Sequence, residues 1–131
     1  MEIWMRDRVL LDANIVVRFF EGDKATHYKQ SVSIIRDIST GKTNALLLDL
    51  IVAEIIYVTR RVYKREKSEI VQVLKEIISM PSLYVENQLV LFHALDIYAS
   101  TNIDFADAML CAKKQLEGYE VLSFDKKVLG C

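Results

Sequence analysis

Residues 8–20 read RVLLDANIVVRFF, and this stretch decides how the rest of the chain is interpreted. Arg8–Leu11 is a short, apolar, β-favouring run that ends at Asp12, and an apolar-rich segment continues from Asn14 to Phe20. Short strands that are apolar on both faces are typical of a parallel sheet covered by helices. The stretch therefore predicts an α/β fold in which an acidic residue follows the first strand.

The same alternation of strands and helices continues along the chain. Three further short strands are predicted, at Ala45–Leu48, Leu83–Val85 and Glu120–Ser123. Apolar spacing and capping signals predict five helices, over Thr26–Ile38, from Asp49 to Val62, and over Lys67–Ile78, Gln88–Ala99 and Phe105–Leu116. The predicted caps are Asp49, Asn87 and Asp104, and Gly118 ends the last of these helices. We expect one domain, residues 1–131, built as a three-layer α/β/α sandwich with a short central parallel sheet.

Composition and charge limit the class of protein. The chain has 131 residues, is 52% hydrophobic and carries a net charge of −1, so any nucleic-acid binding needs a local basic patch or metal ions. No apolar run approaches the roughly 18–20 residues that span a bilayer, and the N-terminal MEIWMRDR lacks the apolar region of a signal peptide. Cys111 is expected to be a small buried hydrophobe, and no disulfide with Cys131 is expected. These features predict a soluble protein of the reducing cytoplasm.

Four acidic residues lie beside apolar runs, in VLLDANI, LLLDLIVAEII, IDFADAMLCA and VLSFD. They are Asp12, Glu54, Asp107 and Asp125. Buried carboxylates are costly unless they are paired, protonated or bound to metal. Ligands of parallel α/β sheets bind beyond the carboxyl ends of the strands, where the fold can gather such residues. Oxygen ligands select hard cations such as Mg²⁺ or Mn²⁺, so the acids predict a divalent-metal site.

Structural explanations of the same residues stay open. Asp12 could begin a turn, and Asp104 could be only a helix cap. Glu54, which is flanked by apolar residues, could be a core carboxylate paired with Arg18 or Arg60. A receiver-like phosphotransfer domain also uses clustered aspartates, but this sequence has no evident lysine after a late strand in the required context.

A basic run follows Glu54 along the chain. Residues 60–67 read RRVYKREK, with five basic residues and one acid. We expect the run to continue the helix that bears Glu54, with Arg60, Arg61, Lys64 and Arg65 on one side. Phosphate contact and a merely solvated helix face both fit this pattern.

Four segments in order, LLDANIVVRFF, DLIVAEIIYV, IDFADAMLCAKK and VLSFDKKV, resemble the PIN-domain ribonucleases, and the length and layout are similar to VapC-type toxins of type II toxin–antitoxin pairs. The resemblance implies an Mg²⁺- or Mn²⁺-dependent endoribonuclease. It assigns the four acids to the family's metal site and gives Asp104, Asn14 and Ser123 supporting roles. The chain has Ala13 where Thr is usual and Ser123 where Thr is frequent. Neither departure removes a metal ligand.

The resemblance also implies partners and a mechanism. Asp12, Asp107 and Asp125 would hold metal, and Glu54 would ligate it or orient the attacking water. Arg18 would contact RNA or a small antitoxin, and the protein would form a homodimer. A housekeeping PIN nuclease of RNA processing and a non-catalytic PIN-like binding module stay open as alternatives.

Overall fold

The computed structural model describes residues 8–131, so the segment MEIWMRD, to which the signal-peptide prediction refers, lies outside the described residues. The described chain has three strands: β1 (Arg8–Leu10), β2 (Asn44–Leu46) and β3 (Leu83–Tyr84). Its helices are α1 (Ala13–Glu21), α2 (Tyr28–Ser39), α3 (Asp49–Arg61), α4 (Lys67–Ile78), α5 (Gln88–Ser100), α6 (Phe105–Glu117) and α7 (Lys126–Leu129). The chain forms two compact units, the first ending at Glu86 and the second running from Asn87 to Cys131.

The first unit contains a parallel sheet in the order β1-β2-β3. Leu10 is in register with Leu46, which in turn is in register with Tyr84. Leu11 N extends the ladder by donating to Leu46 O at 3.0 Å. Parallel strands end at the same edge, so Asp12, just after β1, and the start of α3, just after β2, lie at one edge of the sheet. The predicted α/β class with a short parallel sheet is confirmed.

Helices of the first unit bury one stripe each. In α1 the buried residues are Ala13, Val16, Val17 and Phe20, which is the spacing of one face of a helix. Helix α1 packs against α2 and α3, and α4 packs against α3 and β3. Each large aliphatic side chain buried in this way contributes roughly 1.5–3 kcal/mol.

The second unit is a helical assembly. Helix α5 packs against α6, and Tyr98 meets Phe105 edge to face with ring centroids 6.2 Å apart. Helix α6 ends at Gly118, whose φ of 72° is a left-handed conformation that an L side chain rarely adopts. The short helix α7 returns to α6, where Lys114 Nζ donates to Leu129 O at 2.9 Å.

Two local predictions are wrong. Glu120–Ser123 is not a strand and pairs with no strand of the described residues, and Leu122 within it is 93% exposed. A short apolar run forms a strand only where a partner satisfies its backbone groups. Asp49 lies inside the first turn of α3 rather than at the cap, which is Leu48.

The cysteine prediction is also wrong in part. Cys111 is fully buried as expected, but it forms a disulfide with Cys131. The return of α7 to α6 brings the two Cα atoms to 5.8 Å, which suits a disulfide. The cysteines therefore give no argument for a reducing compartment. Among residues 8–131, no helix is both long enough and apolar enough to cross a bilayer.

Candidate active site

Asp12 caps helix α1 at the carboxyl edge of the sheet. Its backbone is extended, and its Oδ1 accepts a hydrogen bond from Ala13 N at 2.7 Å. The residue is exposed, so the expectation of a buried carboxylate is wrong here. Asn14, two residues further on, is also exposed. A carboxylate has several lone pairs, so a cap can also bind a cation.

Glu54 lies on the solvent side of α3, and its predicted burial is wrong. The buried residues of α3 are Val52, Ile55, Ile56 and Thr59. Because successive helix residues are rotated by about 100°, the apolar neighbours of Glu54 in sequence turn toward the core while its own side chain faces away. Neither suggested arginine partner pairs with it: Arg18 contacts Glu21 at 3.2 Å, and Arg60 donates to Arg65 O at 3.0 Å.

Asp107 is the one predicted metal ligand that is partly buried. It lies in the first turn of α6, where the helix dipole favours a negative charge. Burial raises the pKa of its carboxyl above the usual value, and the negative charges of Asp125 and Asp104 raise that pKa further. Lys127, which sequence reasoning missed, acts in the opposite direction.

Asp125 caps α7, and its Oδ1 accepts from Lys127 N at 2.9 Å. Its own N–H donates to Ser123 Oγ at 2.9 Å, so Ser123 supports the turn that presents Asp125. Asp104 occupies the cap position of α6 as predicted, but its side chain makes no capping hydrogen bond. Lys127 Nζ donates to Asn102 O at 3.1 Å, which places a cation beside these carboxylates.

We call Asp104, Asp107 and Asp125 the acid trio, because the charges of Asp104 and Asp125 both act on Asp107 within the second unit. Their donor set is all oxygen. Burial and then the negative charges of Asp125 and Asp104 raise the pKa of Asp107, and a divalent cation would offset both effects. The donor chemistry therefore fits Mg²⁺ or Mn²⁺. Within residues 8–131, however, no three His, Cys, Asp or Glu residues are close enough together to hold a metal ion.

The basic residues do not share one helix face as predicted. Helix α3 ends at Arg61, and Lys64 has a left-handed φ of 55°, so the chain turns away after the helix. Arg65 is held in the fold, since it donates to Phe20 O at 2.7 Å. Arg61 and Lys64 are exposed, whereas Arg18 is engaged by Glu21.

Comparison with known proteins gives one family. The PIN domain matches residues 9–129, which is nearly the whole chain. No protein of curated function matches the chain at a significant level.

Proposed function

Because the chain belongs to the PIN-domain family, whose members are in general nucleases, we propose that it is an Mg²⁺- or Mn²⁺-dependent endoribonuclease. The observation that supports the proposal is the setting of Asp107: a partly buried carboxylate at a helix N-terminus, on which the charges of two further carboxylates act. That setting is expensive for three anions and favourable for a hard cation with oxygen ligands.

The chain's residues have distinct roles in this proposal. Asp12, Asp107 and Asp125 are metal ligands, and Glu54 ligates metal or orients the attacking water. A bound divalent ion supplies charge neutralisation at the scissile phosphate and a lowered pKa of the water. Asp104 adds negative charge beside Asp107, and Ser123 fixes the backbone of Asp125. Asn14 is an exposed amide two residues beyond Asp12, where it can contact substrate.

We further propose that the nuclease is the toxin of a type II pair in the cytoplasm, that it is neutralised by a small antitoxin and that it forms a homodimer. The support is the order of the four acidic segments along the sequence. Arg18, half-exposed on α1, is a candidate contact for RNA or antitoxin. Growth arrest on expression, relieved by Asp107→Asn, supports the toxin; unaffected growth with measurable RNA cleavage favours a housekeeping nuclease.

Cleavage of single-stranded RNA tests the proposed reaction. The wild-type protein should cleave this RNA in the presence of Mg²⁺ or Mn²⁺, and EDTA should abolish the cleavage. The variants Asp12→Asn, Glu54→Gln, Asp107→Asn and Asp125→Asn should each lose activity. Asn also caps helices, so these substitutions at Asp12 and Asp125 remove charge while preserving the caps. Glu76→Gln, an exposed acid of α4, is the matched control and should keep full activity. Cleavage without metal, or full activity in Asp107→Asn, would overturn the proposal.

A further inference from the structure

The solvent side of α3 carries a second feature beside Glu54. Leu50, Glu54, Tyr57 and Arg61 are spaced by four, three and four residues, so they line one stripe opposite the buried residues of the helix. Leu50 is 76% exposed and Tyr57 is 61% exposed. The Tyr57 ring therefore lies largely outside the core of this unit.

Tyr57 and Arg61 form a cation–π pair on this stripe, which we call the Tyr57–Arg61 platform. The guanidinium carbon of Arg61 lies 5.6 Å from the centroid of the Tyr57 ring. This distance is within the range of cation–π attraction, about 6 Å, so each side chain helps to hold the other. The platform thus presents an exposed ring with the Arg61 guanidinium over one of its faces, which leaves the other face for a base.

Two further basic residues lie close to the platform in the sequence. Arg60, next to the platform in sequence, and Lys64, just past the end of the helix, are both exposed. The whole chain has a net charge of −1, so this cluster is local rather than a general excess of cations. An aromatic ring that stacks a base, beside cations that contact the backbone phosphates, is how proteins bind single-stranded nucleic acid.

We propose that the Tyr57–Arg61 platform stacks a nucleobase of single-stranded RNA close to the bond that is cleaved. This inference rests on the proposed ribonuclease function. Glu54 precedes Tyr57 by one helical turn on the same stripe, roughly 4.5 Å along the axis, and Arg61 is about 10.5 Å from Glu54. A base seated on Tyr57 therefore lies next to a proposed catalytic carboxylate. Paired bases in a duplex cannot reach the ring, so the platform selects single-stranded substrate.

Binding of a fluorescein-labelled single-stranded RNA, with Ca²⁺ in place of the activating ion, tests the platform. Tyr57→Leu should weaken binding about 5- to 150-fold, the range for losing one base stack, whereas Tyr57→Phe should stay near wild type. Tyr119 is the matched control, because it is 59% exposed and has Lys113 Nζ 5.9 Å from its ring centroid, but follows the end of α6 and is not on the stripe of α3 that carries Glu54. Tyr119→Leu should bind like wild type.

Photocrosslinking to iodouridine-substituted RNA then locates the stacked base. The crosslink should map to Tyr57 and be absent from Tyr119. If Tyr57→Leu binds RNA with unchanged affinity while the wild-type protein shows metal-dependent cleavage, the stacking proposal is wrong and the proposed ribonuclease function stands. Wild type that neither binds nor cleaves RNA would overturn the proposed function as well. If Tyr57→Leu changes the oligomeric state but not RNA binding, the stacking proposal is also wrong. The stripe would then be a contact with a second copy of the chain.

Discussion

The disulfide between Cys111 and Cys131 should stabilise the folded protein by an amount that can be worked out from the loop that it closes. The two cysteines are separated by 20 residues in sequence. Closing a loop of that length lowers the entropy of the unfolded chain by roughly 11 cal/mol/K, which is about 3 kcal/mol at 25 °C. With an unfolding entropy of ~2.1 cal/mol/K per residue, the loss of the bond should lower the Tm of this chain by about 10 °C.

Thermal unfolding followed by circular dichroism, with and without reductant, measures this difference. Cys131→Ser is the cleanest perturbation, because Cys131 is only half-buried whereas Cys111 is fully buried. The variant should unfold about 10 °C below oxidised wild type and should not respond to reductant. Equal Tm values for oxidised and reduced wild type would refute the reasoning. Two titratable thiols in the oxidised protein would refute the bond itself.

Three further predictions concern the two units. Ile55→Ala removes a fully buried side chain and should lower the free energy of unfolding by about 2–5 kcal/mol in urea denaturation, whereas Leu50→Ala on the exposed side of the same helix should change it by less than ~0.5 kcal/mol. Asn87→Ala removes the cap of α5 and should cost about 1 kcal/mol in the same assay, where unchanged stability would contradict the cap. Asp125→Asn removes a like charge and should lower the pKa of Asp107 in an NMR titration of metal-free protein; an unchanged pKa would count against their interaction.

The first three strands were predictable because each is a short apolar run, and backbone pairing follows from that pattern. The fourth predicted strand, Glu120–Ser123, has the same local pattern but no partner among the described strands. The local sequence indicates which backbone conformation a segment favours, but it does not indicate whether another strand is present to pair with that segment. For the same reason the sequence does not predict the disulfide, since the spacing of two cysteines does not determine their distance in the fold.

In the candidate site, too, the sequence predicts local neighbours but not contacts between segments that are far apart along the chain. Asp104 and Asp107 were predictable as neighbours, because three residues separate them at the start of one helix. The approach of Asp125 depends on the return of α7 to α6, which no local pattern encodes. The predicted burial of Glu54 is wrong because its apolar neighbours along the sequence are not its neighbours in space, since helical rotation turns them to the other side of α3.

The initial rate of cleavage of a single-stranded RNA as a function of Mn²⁺ concentration, in wild type and in Asp107→Asn, tests the central proposal most directly. Wild type should show no cleavage without the ion and a rate that saturates as Mn²⁺ increases. Loss of even an outer partner of a metal site costs about 10- to 100-fold, so Asp107→Asn should lose at least that much. A rate in Asp107→Asn equal to that of wild type at every Mn²⁺ concentration, or cleavage that persists in EDTA, would contradict a metal-dependent ribonuclease built on these carboxylates.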